Sequence, residues 1–141
     1  MRCERSGTMS SKTRLLFDTH AFLSFFNREE GSECIRTYFN AIQNGDTEGF
    51  VATITLAELA YIYTRKADAP LARHRVLQVQ HSKLLLIPLT AEIAVDAGTI
   101  KRPGISVADA IIAASARSVD ATVVTNDKHF SAMGVEVTRY P

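Results

Sequence analysis

Runs of consecutive apolar residues alternate along this chain with longer stretches in which apolar residues recur every three or four positions. The runs are RLLFD (Arg14 to Asp18), GFVATI (Gly49 to Ile54), LLLIPL (Leu84 to Leu89), ATVVT (Ala121 to Thr125) and a short last one, VEVTRY (Val135 to Tyr140). They read as strands. THAFLSFFN follows the first, with Phe22, Phe25 and Phe26 at helical spacing. SECIRTYFNAIQNGD sets Ile35, Phe39 and Ile42 on one helix face, with Ser32 as its N-cap and Gly45 as its stop. TLAELAYIYTRKA opens with Thr55 and Glu58 at the spacing of a capping box. DAPLARHRVLQVQHS is entered through Asp68 and Pro70. TAEIAVDAGTI is a helix broken by KRPG, and a last long helix runs from Ser106 to Ser118.

The strands are mostly continuous apolar runs rather than alternating ones, and they are separated by helices. Both features predict an α/β protein: a parallel sheet covered on both faces, in a three-layer α/β/α sandwich. The rarer alternative is an α+β fold with an antiparallel edge. In open parallel sheets, sites form beyond the carboxyl ends of the strands, where strand order reverses.

Length narrows this to one domain, since 141 residues suffice for a single buried core. The opening MRCERSGTMSSK is polar and lacks the apolar core of a signal peptide. It reads as a flexible leader over residues 1–12, with Met9 as an alternative start and the domain spanning 13–141. A net charge of +1 advertises no global attraction to nucleic acid, so an anionic partner needs a local patch. No apolar run is long enough to span a membrane. The two cysteines, Cys3 and Cys34, form neither a disulfide framework nor a zinc pattern, which makes a reducing cytoplasm the default.

Candidate chemistry comes from the acids at element junctions. Asp18 ends the first strand, Glu58 falls just after the second, Asp109 lies at the start of the Ser106 helix, and Asp127 follows the fourth strand in VVTNDKHF. Strand ends and the following helix starts share one side of such a sandwich, so acids far apart in sequence converge. Each also has a plain structural reading. Ser106 with Asp109, and Thr55 with Glu58, have capping spacing; Asp18 suits a helix cap and Asp127 a turn. Caps do not explain why the neighbours of Asp109 and Glu58 are so bare of charge. Clustered carboxylates raise one another's pKa or demand a cation. Oxygen donors with no converging Cys or His favour Mg²⁺ or Mn²⁺, which suits hydrolysis of a phosphodiester.

LLFDTHAF, TITLAEL, SVADAIIAASA and VVTNDKHF occur in the order and rough spacing of the PIN-domain family. Over residues 14 to 138 the chain resembles that family, most closely its VapC-type toxin ribonucleases. The resemblance implies a five-stranded parallel sheet flanked by helices, and an endoribonuclease dependent on Mg²⁺ or Mn²⁺. It places the four acidic positions on Asp18, Glu58, Asp109 and Asp127. It places the hydroxyl at the end of the fourth strand on Thr125; Asn126, a departure from the family's pattern between Thr125 and Asp127, is a further candidate supporting residue. It also implies a homodimer and a small antitoxin protein that holds the toxin in check.

Cleaving RNA requires phosphate contacts. TRKADAPLARHR is the densest basic stretch, and Arg65, Lys66, Arg73 and Arg75 are its candidates for an RNA-binding rim, with Lys128 beside Asp127 as a smaller one. The plain alternative is a solvated helix face. His20 and His129 sit near two of the acids and read as packing or hydrogen-bonding residues. Two other functions compete. One is a non-toxin or degenerate PIN domain that processes RNA, or that binds RNA or protein without cleaving. The other is a phosphatase with Asp18 as nucleophile, which usually wants a second aspartate where this chain has His20.

Overall fold

The computed structural model describes residues 12–140. The expected leader, residues 1–12, lies outside them except for Lys12. The elements run β1 (Thr13–Phe17), α1 (Thr19–Phe26), α2 (Ser32–Gln43), β2 (Thr47–Ala52), α3 (Thr53–Lys66), α4 (Ala69–Gln80), β3 (Leu85–Ile87), α5 (Ala91–Ile100), α6 (Val107–Ser118), β4 (Thr122–Thr125), a 3-10 helix (Lys128–Met133) and β5 (Val137–Arg139).

The strands form one five-stranded sheet in the order β3-β2-β1-β4-β5, and every pairing is parallel. This is the α/β sandwich expected, without an antiparallel edge. Strand residues alternate between the two faces, and both faces are apolar. Leu16, Phe50, Ala52 and Val123 pack with α5, α6 and the 3-10 helix. Leu15, Phe17, Val51 and Val124 pack with α1 to α4 and Tyr140. Continuous apolar runs result because consecutive residues serve opposite layers. Order reverses at β1: the chain builds β2 and β3 on one side, then crosses to build β4 and β5 on the other. The register pairs Phe17 with Val124, and the Asp18 N–H continues the ladder to the Val124 carbonyl at 3.2 Å. The carboxyl ends of β1 and β4 therefore lie side by side at the switch point.

Three local expectations are corrected. Ser32 does not cap α2; Gly31 does, in a left-handed conformation (φ 89°) that glycine adopts without steric cost, and with no side-chain cap. The second strand is Thr47–Ala52, not Gly49 to Ile54. Consequently α3 starts at Thr53 after an uncapped Ala52, so Thr55 and Glu58 form no capping box and Glu58 falls in the second turn. Asp68 does cap α4, accepting from the Leu71 N–H at 2.8 Å, with Pro70 in the first turn.

The Ser106 helix is α6. Ser106 Oγ accepts the Asp109 N–H at 3.0 Å, which satisfies one of the unpaired donors of the first turn. Seven consecutive residues, Ala110 to Ala116, are buried. Small side chains let this helix lie between the sheet and α5 with almost no wet face. The helix meets solvent at its two ends, at Val107 and at Arg117 and Ser118, and Asp109 is half-buried near its start.

Among the described residues there is no free cysteine, and Cys34, buried on α2, is disulfide-bonded. A reducing compartment therefore does not follow from cysteine usage. Among the described residues no helix is long and apolar enough to cross a membrane.

Candidate active site

Asp18 is the centre of the switch point and is only 2% exposed. It leaves β1 and caps α1: its Oδ1 accepts the Ala21 N–H at 2.8 Å. Its Oδ2 accepts the hydroxyl of Thr125, the last residue of β4, at 2.6 Å. Thr125 Oγ1 in turn accepts the Asp127 N–H at 2.9 Å. Asp127 caps the 3-10 helix, its Oδ1 taking the His129 N–H at 2.8 Å and His129 Nδ1 at 2.9 Å. A continuous chain of hydrogen bonds thus joins Asp18, Thr125, Asp127 and His129 across two strand ends.

Burial dominates the electrostatics. It raises the Asp18 carboxyl from 3.8 to about 6, against the lowering effect of the Thr125 and Ala21 hydrogen bonds and the His20 charge, with the Asp109 charge adding to the rise. Burial also raises Asp109; the Ser106 side chain opposes it, Asp127 reinforces it, and His20 and His129 oppose it. Asp18, Asp109 and Asp127 thus share one electrostatic neighbourhood, flanked by His20 and His129. The fourth acid, Glu58, is half-buried on α3 and accepts the Thr19 hydroxyl at 2.6 Å, one residue along from Asp18.

Thr125 is fully buried and bonded to Asp18. Asn126 points to solvent, and its carbonyl accepts from Arg139 at 3.2 Å. The basic stretch is not gathered at the acids. Arg65 and Lys66 occupy the last turn of α3, about 10 Å along the helix from Glu58. Arg65 stacks over Tyr61, and Arg73 faces solvent on α4. Arg75 is turned inward, its guanidinium 4.7 Å above the Phe26 ring and bonded to Gln78 at 3.0 Å. Lys128 is exposed beside Asp127. Sequence reasoning misses Thr19, while the bond from His129 to Asp127 agrees with the reading of His129 as a hydrogen-bonding residue near an acid. A hydroxyl next to the first acid is the only signal available for Thr19.

The donor chemistry fits a hard divalent cation: the side chains gathered here offer carboxylate oxygens, and burial makes two of them hold protons more tightly than usual. Among the described residues no three His, Cys, Asp or Glu side chains close on one point. An ion that binds through one or two carboxylates and keeps its waters needs no such closed set.

Comparison with known proteins agrees with this architecture. No curated protein matches the sequence. Among solved structures, VapBC2 from Rickettsia felis bound to a DNA fragment from their promoter is similar with a TM-score of 0.74 at 20% identity, covering 92% of this chain and 100% of that one. DNA-bound VapBC from Salmonella typhimurium gives 0.71 at 24% identity, covering 92% and 99%. VapC20 from Mycobacterium tuberculosis, described as a sarcin-ricin-loop-cleaving toxin, gives 0.69 at 17% identity, covering 88% and 98%. These likenesses are of fold. The sequence itself matches the PIN domain family over residues 15–136, nearly the whole described chain, and the protein belongs to that family.

Proposed function

We propose that this PIN domain is a divalent-metal-dependent endoribonuclease and the toxin of a VapBC-type pair. The observation that carries the reading is the Asp18–Asp109 pair at the switch point, two carboxylates that burial holds above their ordinary pKa, with the Asp109 charge adding to the rise at Asp18 and the Asp127 charge to that at Asp109. Such a pair is costly when ionised alone and favourable around a cation. In this reading Asp18 and Asp109 hold Mg²⁺ or Mn²⁺, with Asp127 and Glu58 completing the site, directly or through waters. The chemistry such an ion supplies is a more acidic bound water and neutralised charge on the leaving oxygen. The chain's own part is to fix the acids. Thr125 locks Asp18, His129 locks Asp127, and Ser106 sets the helix start that presents Asp109. Support for RNA as substrate and for a small antitoxin comes from the PIN family and from the VapBC and VapC proteins of the same fold. A homodimer belongs to the same proposal. Exposed Arg65, Lys66 and Arg73, which lie away from the acids, and Lys128, beside Asp127, remain the proposed phosphate contacts along an extended RNA; Arg75 supports the fold instead.

The test is cleavage of structured RNA by the purified chain in Mg²⁺, Mn²⁺ or EDTA, beside Asp109→Asn and Asp127→Asn. Metal-dependent cleavage lost in both folded variants supports the reading. Equal activity in EDTA, or in the double variant, contradicts it. A second reading, an RNA-binding module without turnover, draws on the absence of a closed three-ligand set among the described residues. Binding of RNA without cleavage in either metal would favour it.

A further inference from the structure

Thr19 is the first residue of α1, and its side chain is 6% exposed. Capping does not need its hydroxyl, because Asp18 is the cap. The hydroxyl crosses instead to α3. It reaches Glu58 Oε1 at 2.6 Å and lies 3.2 Å from the fully buried Thr55 Oγ1. A hydroxyl carries one hydrogen, and the closer acceptor, a carboxylate, takes it. Thr55 then backs Thr19 from behind. This contact spans elements 39 residues apart, and it starts from the residue covalently joined to Asp18. A glutamate side chain is long and freely rotating. Tying one of its oxygens to Thr19 selects a single orientation and fixes its place relative to the first acid.

We propose that Thr19 is a positioning residue of the metal centre: it couples Glu58 to Asp18 and sets the spacing of the two carboxylates. The inference rests on the metal-centre reading above. A hydroxyl that merely braces α1 against α3 makes different predictions, and metal affinity separates them.

The experiment is a Mn²⁺ titration by calorimetry of the full chain and of Thr19→Val, Thr19→Ser, Glu58→Gln and the Thr19→Val/Glu58→Gln double variant, each checked for fold by circular dichroism. Partners that orient a metal ligand are worth about ten-fold or more in affinity. Thr19→Val is therefore expected to weaken Mn²⁺ binding roughly ten-fold. Thr19→Ser, which keeps the donor, restores it, and the double variant binds no more weakly than Glu58→Gln alone. Thr19→Val with wild-type affinity, or with an equal further loss in the Glu58→Gln background, overturns the proposal while leaving the metal centre standing. Failure of the wild-type chain to bind Mn²⁺ overturns the metal-centre reading and this inference with it. Should Thr19→Val not fold, Thr19→Ala against Thr19→Ser reads the same contrast.

Discussion

Replacing Asp18 by Asn removes a charge that the fold holds at a cost. The Asp18 carboxyl moves from 3.8 to about 6, and the group is 2% exposed, so solvent screens little of the effect. Above both values the ionised group destabilises the metal-free fold by roughly 3 kcal/mol relative to a neutral one. The sign follows from the direction of the shift. A raised carboxyl binds its proton better in the folded state, so its stabilising contribution is full below about 3.8 and is lost as pH rises through about 6. Asn keeps the cap to the Ala21 N–H. It cannot accept the Thr125 hydroxyl on the same atom, which costs about 1 kcal/mol. The net expectation for Asp18→Asn is a gain of roughly 2 kcal/mol in EDTA near pH 7.5, or several degrees in Tm for a domain of this size. The gap should narrow by about 1.5 kcal/mol toward pH 5, as wild type regains its proton. Thermal melts at the two pH values measure it. A variant that melts at or below wild type at pH 7.5, with no change in the gap at pH 5, would refute the claim that burial holds Asp18 in a costly charged state.

Three further outcomes follow from the same geometry. Protons compete with metal for Asp18 and Asp109, so Mn²⁺ affinity should fall as pH drops through about 6, where Asp18 takes up its proton; a flat calorimetric titration across that range would contradict this. Ser106→Ala removes the side-chain cap of α6 and should cost about 1 kcal/mol in denaturant unfolding, with loss of no more than a few tenths counting against the cap. Gly49→Ala drives a methyl into Ile42 and Leu84 on the buried side of β2, and should destabilise by about 1–3 kcal/mol, which the shift of the urea midpoint reads directly.

The centre of the sheet was legible because its strands are buried on both faces, and Phe50, Val51 and Ala52 fill opposite layers in turn, whereas the edge strand β3 leaves Leu85 and Leu86 exposed. The ends of β1 and β4 followed from that pattern, and with them Asp18 and Asp127; Asp109 was legible instead from the start of α6, which follows a helix. The start of α3 was not legible. Thr55 and Glu58 have capping spacing, yet their hydroxyl and carboxylate are used in tertiary contacts with Thr19, and the helix begins earlier without any side-chain cap. Ser32 misled in the same way, since the left-handed Gly31 ends the turn one residue before it. The basic stretch failed for another reason. Charge along a sequence does not say which side chains turn inward, and Arg75 lies against Phe26 and Tyr63 where an exposed face was expected. Hydrogen bonds such as Thr125 to Asp18 span 107 residues and exist only once the sheet is assembled.

The central claim is that these acids form a divalent-metal centre, and one thermal melt tests it most directly: the wild-type chain and Asp109→Asn, each in EDTA, Mg²⁺ and Mn²⁺. Metal at ten times its Kd adds roughly 1.4 kcal/mol, several degrees here. The account predicts that rise in the wild type and its loss in Asp109→Asn, with the metal-free variant at least as stable as the metal-free wild type. No metal-dependent rise in the wild type, or the same rise in both proteins, would contradict it.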